Sequence, residues 1–84
     1  MPTIRVRYFA GARAAAGVDE EPVLVPDGGT VEDALAEIGS RRGEGLCTVL
    51  RACSFLLDGI AVHDRARPLA DGALLDVLPP FAGG

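Results

Sequence analysis

The chain has 84 residues, 49% of them hydrophobic, enough for one modest core and no second domain with its own interior. Eight arginines, no lysine and twelve carboxylates give a formal net charge of −4. The arginines stand singly or in pairs such as Arg41-Arg42, which disfavours nucleic acid and suits a basic protein partner better.

The first expected element is a strand over 3–9. Ile4, Val6 and Tyr8 alternate with Arg5 and Arg7, the period of a half-buried strand. Residues 10–17 are small and bounded by Gly11 and Gly17, and read as a loop with one helical turn near 13–16. A second strand is expected over 21–26 on Val23, Leu24 and Val25, closed by the turn Pro26-Asp27-Gly28-Gly29. The run Asp19-Glu20-Glu21 reads as a solvated strand entrance.

Thr30 is a good N-cap, and Val31, Ala34, Leu35 and Ile38 recur at the spacing of one apolar helix face. Glu32 and Asp33 in its first turn and Arg41-Arg42 at its end complement the helix dipole. Leu46, Val49, Leu50 and Cys53 repeat the spacing over a second, short helix. Residues 54–57 and 60–62 flank Asp58-Gly59, a dipeptide that tolerates the positive φ angles of a tight hairpin. A last strand over 73–78 is stopped by Pro79-Pro80. Ile4, Val6, Leu35, Ile38, Leu75 and Val77 are the expected heart of the core, with Leu74 and Leu78 as exposed apolar residues on the opposite face of the last strand.

Cys47 and Cys53 match no zinc or disulfide pattern and read as small buried apolar residues in a reducing cytosol; the expected location is cytoplasmic. His63 sits in a polar loop with no partner for metal or acid-base work and reads as a surface residue. No apolar run approaches the roughly 20 residues that span a bilayer, so no membrane association is expected.

The order strand, strand, helix, short helix, strand, strand, strand makes a two-layer α+β roll with a sheet of about five strands, a domain over 1–78 and a projecting tail over 79–84. The tail is Pro79-Pro80-Phe81-Ala82-Gly83-Gly84. Extended at about 3.3 Å per residue, it would reach roughly 20 Å beyond the sheet. The prolines favour a stiff start, and Gly83 and Gly84 are slim enough to thread a narrow channel. Phe81 reads as a partner anchor rather than a residue folded back on the sheet. A loose chain end without function is the bland alternative.

The first strand Val6-Arg7-Tyr8-Phe9, the Asp58-Gly59 hairpin and above all Val77-Leu78-Pro79-Pro80-Phe81-Ala82-Gly83-Gly84 resemble the MoaD/ThiS family of ubiquitin-like sulfur carriers. The ending and the long segment after the first strand are closer to its MoaD branch. The resemblance implies a β-grasp fold and adenylation of the terminal glycine by an E1-like enzyme of the MoeB/ThiF type, which uses ATP. A sulfur donor then converts the acyl group to a thiocarboxylate. It further implies a large synthase subunit of the MoaE type as partner and cyclic pyranopterin monophosphate as sulfur acceptor. By position, Gly84 would carry the thiocarboxylate. Gly83, Ala82, Phe81, Pro80, Pro79, Leu78 and Leu74 would meet the partner. No resident cofactor and no metal are expected. Sulfur delivery to another pathway, a ubiquitin-like modifier joined to target lysines, and a plain interaction domain are the other readings.

Overall fold

The computed structural model describes residues 1–80. Its elements in chain order are β1 (Thr3–Tyr8), α1 (Ala10–Ala16), β2 (Glu20–Leu24), α2 (Val31–Arg42), α3 (Glu44–Leu50), β3 (Ser54–Leu57), β4 (Ile60–Ala61) and β5 (Leu74–Leu78). The five strands form one mixed sheet in the order β2-β1-β5-β3-β4. β1 and β5 run parallel in its centre and the other pairs are antiparallel. This is the α+β roll that the element order predicts.

The alternation in β1 works as expected: Ile4, Val6 and Tyr8 are buried, and all six residues expected at the heart of the core are buried too. Val23, Phe55 and Leu57 extend that inward face, against which the helices close a single apolar cluster. β2 begins one residue earlier than expected and ends at Leu24, leaving Val25 buried just beyond it. Pro22 is tolerated because β2 is an edge strand. Its register partner Arg5 directs its own N–H away, to Ala73 O at 2.9 Å, so the ring nitrogen of Pro22 faces the open edge, where no ladder bond is lost.

Residues 10–16 are not a loop with one turn but a complete helix, α1. Five of its seven residues are alanine, the best helix former, and Ala12 and Ala16, one turn apart, are buried in the core. α1 touches β1, β5 and α3, so three helices rather than two cover the sheet.

α2 starts at a capping box: Asp33 N–H donates to Thr30 Oγ1 at 3.4 Å, and Thr30 N–H donates to Asp33 Oδ2 at 2.9 Å. The other free donors of the first turn are taken by the 65–67 loop, with Val31 N–H on Arg67 O at 3.0 Å and Glu32 N–H on Arg65 O at 2.9 Å. α3 then packs close against α2. A Cβ added at Gly39 would stand 3.0 Å from Cys47 Sγ, so glycine there permits the approach. In the β3–β4 hairpin Asp58 and Gly59 have φ of 50° and 83°, the left-handed pair its turn requires. The Asp58 carboxylate also accepts from Leu74 N–H at 2.9 Å, which ties the hairpin to β5.

Glu21 is the clearest departure from the sequence reading, since it is buried rather than solvated. It faces inward from β2 and accepts from the Tyr8 hydroxyl, from Arg41 at 3.1 Å and from Arg42 Nε and Nη2 at 3.1 and 2.8 Å. Burial alone raises its pKa, but the hydrogen bonds from Arg42, Tyr8 and Arg41 outweigh it and the net shift is below the ordinary 4.5. Burial in turn pushes the Tyr8 hydroxyl up, so it remains a donor. Because the folded state holds this carboxyl below its unfolded pKa, the cluster's contribution is complete above about pH 4.5 and is lost as pH falls through the depressed folded value. Glu21→Gln should lower neutral-pH stability by about 1–3 kcal/mol and flatten the loss of melting temperature on acidification. Parallel acid profiles for the two proteins would refute this role.

Candidate functional site

β5 delivers the chain to the site. It is held on both sides, by β1 through the pairs Val6↔Leu75, Arg7↔Asp76 and Tyr8↔Val77, and by β3 through Ser54↔Leu78 and Phe55↔Val77. Phe9 N–H donates to Val77 O at 3.2 Å, the last backbone bond from β1's side before Pro79. Pro79 and Pro80 have no N–H with which to continue the ladder, so the strand stops at Leu78 between two strands that anchor it. Whatever follows Pro80 is therefore attached to a strand paired on both sides.

Around this exit, Phe9, Gly11, Ser54, Leu78, Pro79 and Pro80 line an apolar groove of about 700 Å³. Leu78, Pro79 and Pro80, three of the residues expected to meet a partner, lie in the wall of this groove. Leu78 and Leu74 are half-buried rather than exposed, because neighbouring strands flank both on the outer sheet face. Leu74 lies four residues before Leu78 on the same strand and does not line the groove. The readings of Phe81, Ala82, Gly83 and Gly84 lie outside the described residues.

Several features of this surface were not read from the sequence. Asp76, at the centre of the outer face, is buried and held by a two-pronged pair with Arg7, Nε to Oδ1 at 2.7 Å and Nη2 to Oδ2 at 3.0 Å. The same guanidinium sits 5.7 Å from the centre of the exposed Phe9 ring. One arginine thus links the central strand to the aromatic wall of the groove. The available signal was the aromatic residue directly after a strand, but the Arg7–Asp76 pair behind it joins residues 69 apart in sequence.

Cys47 and Cys53 are half-buried rather than fully buried, and their thiols lie 3.4 Å from Gly39 O and 3.2 Å from Val49 O. Burial pushes the Cys53 thiol up against the opposing influence of Arg65. His63 is exposed, as expected. Among the described residues there is no group of three or more His, Cys, Asp or Glu able to hold a metal ion, and no helix long and apolar enough to cross a membrane. The described residues place the end of β5 and the Pro79-Pro80 pair beside an apolar groove.

The molybdopterin synthase sulfur carrier subunit of Chlamydomonas reinhardtii is 37% identical over 82 residues, covering 96% of this chain and 98% of that protein. The crystal structure of SAMP1 from Haloferax volcanii superposes with a TM-score of 0.87 at 26% identity, covering 98% of this chain and 99% of that one. A complex of subunits 1 and 2 of molybdopterin-converting factor from Helicobacter pylori contains a chain of the same fold, with a TM-score of 0.71 at 24% identity and coverage of 98% and 99%. The profile of the ThiS family matches residues 6–84. With the roll, the hairpin and the anchored exit strand all in place, this chain belongs to the ThiS family, the MoaD/ThiS group of ubiquitin-like sulfur carriers that its sequence resembles.

Proposed function

We propose that the chain is the sulfur-carrier subunit of a molybdopterin synthase and that its working group is the carboxyl of Gly84. The observation that carries this reading is the family match through residue 84, on a fold whose central strand ends beside the groove at Pro79-Pro80. The similarity to the Chlamydomonas sulfur carrier subunit supports the choice of pathway. In this reading residues 1–78 are the scaffold and residues 79–84 are the arm.

A carboxylate resists nucleophilic attack because it is already negative and would have to expel oxide. An E1-like enzyme removes that obstacle with ATP: the carboxylate oxygen attacks the α-phosphorus, pyrophosphate leaves, and an acyl adenylate results. A reduced sulfur donor then attacks the carbonyl carbon and expels AMP, leaving a thiocarboxylate. The large subunit receives the arm, and the sulfur passes to cyclic pyranopterin monophosphate. The side chains of this protein supply position, and the partners supply the catalytic groups. The groove at the exit, with Leu78, Pro79 and Pro80 in its wall, is the surface on which those partners seat.

The test is intact-mass analysis after incubation with the E1-like enzyme, ATP and a reduced sulfur donor. Exchange of one oxygen for sulfur at the terminal carboxyl is expected. An unchanged mass, with an enzyme that charges another carrier in the same buffer, would overturn the reading. The resemblance to SAMP1, a small archaeal modifier protein, favours a second reading in which the activated glycine is joined to lysines of other proteins. Isopeptide-linked products in the same reaction, with no thiocarboxylate, would select it.

A further inference from the structure

Resting on the proposed activation of Gly84, we infer that this chain is a donor only: none of its own side chains can accept the acyl group that its activated end carries. An acyl adenylate is attacked by any free amine or thiolate within reach. The nitrogen lone pair adds to the carbonyl carbon, AMP departs with the electrons of the C–O bond, the nitrogen loses a proton, and an amide remains. A carrier bearing lysines would be exposed to this reaction with every other charged copy.

The sequence contains no lysine, and all eight basic side chains are arginine. A guanidinium stays protonated and is not a nucleophile. At some positions the geometry itself demands arginine, since Arg7 and Arg42 each make two-pronged contacts to a carboxylate that a single ammonium could not reproduce. At others it does not. Arg13 stands on α1 with only a 3.7 Å contact to Asp19, and Arg51 is exposed and in no ion pair among the described residues. A lysine would cost nothing structurally at either place, so the folded contacts do not account for its absence there.

The thiols are withdrawn as well. Both cysteines are half-buried, each with its sulfur directed at a backbone carbonyl, and burial disfavours the Cys53 thiolate. Tyr8 is buried with its hydroxyl committed to Glu21. His63, the one exposed imidazole, could form only an acyl-imidazole that water reverses. A further consequence is that proteins modified by this chain, if it acts as a modifier, would carry single units and not chains linked through its side chains.

The experiment uses full-length protein with its α-amino group acetylated, the E1-like enzyme and ATP, without a sulfur donor, at about pH 8.5, where a lysine of ordinary pKa near 10.4 is about 1% neutral. Arg13→Lys and Arg51→Lys preserve charge, so they change nucleophilicity alone, and unchanged melting temperatures verify the fold. The parent chain should accumulate adenylate and release AMP to water without forming a covalent dimer. The lysine variants should form an amide-linked dimer at least tenfold faster, with the linkage mapped to the new lysine. A parent chain that dimerises as fast as the variants, whether through Cys47, Cys53 or another side chain, overturns the inference. So do adenylated lysine variants that form no dimer. Absence of adenylate from every protein would instead remove the terminal-carrier reading on which the inference rests, and is recognised by the missing AMP adduct.

Discussion

A chain lengthened by one residue beyond Gly84, or shortened by it, is expected to lose sulfur transfer by about a hundredfold or more while melting at the temperature of the parent protein. Reacting atoms must approach to about 3–3.5 Å, and misplacement by about 1 Å costs about a hundredfold in rate. One residue moves a chain end by about 3.3 Å, so either change exceeds that tolerance. The stability half of the prediction follows from the core, whose buried residues, among those described, all lie between Ile4 and Val77. Gly83→Val should impair transfer in the same direction by adding branched bulk next to the reacting carbonyl, whereas His63→Ala, at an exposed loop position, should leave it unchanged. The measurement is product formation from precursor by the large subunit and the charged carrier, with thermal melting followed in parallel. Normal transfer by the lengthened chain, with mass spectrometry showing that it had not been trimmed, would place the chemistry somewhere other than the terminal carboxyl.

The largest effect on stability is expected at Ile38, which lies on the inward face of α2 with no exposed surface. Ile38→Ala removes three methyl or methylene carbons from the interior and leaves a cavity that the surrounding helices and strands fill only in part. The cost should be about 2–5 kcal/mol. A domain of this length has a total stability of about 4–13 kcal/mol, so the loss would be a large fraction of it. For domains of 60–100 residues each kcal/mol moves the midpoint by about 4–8 °C, which predicts a fall of at least about 8 °C. Ile60 is the matched control: it is 60% exposed on the hairpin, and Ile60→Ala should change stability by no more than about 0.5 kcal/mol. Equal melting curves for the two variants would contradict the placement of α2 over the sheet.

Most of the fold was legible because its elements advertise themselves locally. Strict alternation in β1, the Thr30 cap followed by an apolar face at helical spacing, and Asp58-Gly59 between two apolar runs are signals contained within a few residues, and each led to the element found. The helix at residues 10–16 was missed because glycine at both ends suggested a loop. Its alanine side chains are so small that burial of Ala12 and Ala16 shows only once α3 and the sheet are beside them. The terminal motif was legible for a different reason, since the proposed chemistry resides in the covalent end of the chain and needs no partner side chain to assemble it.

The α+β roll, the apolar core and the Pro-Pro-Phe-Ala-Gly-Gly ending are all legible from neighbours in the chain. The fate of the charges depends instead on contacts that folding makes. Glu21 and Asp76 look like ordinary surface carboxylates when read locally, yet both are buried, because the fold brings Arg41 and Arg42 from α2 to the first and Arg7 from β1 to the second. The same holds for the groove at the exit, whose walls come from residues 9–11, 54 and 78–80. A carboxylate enters the interior only where its charge is met by donors at hydrogen-bond distance. Those donors lie 20, 21 and 69 residues away, and no pattern confined to one segment of chain can encode a partner that only folding delivers.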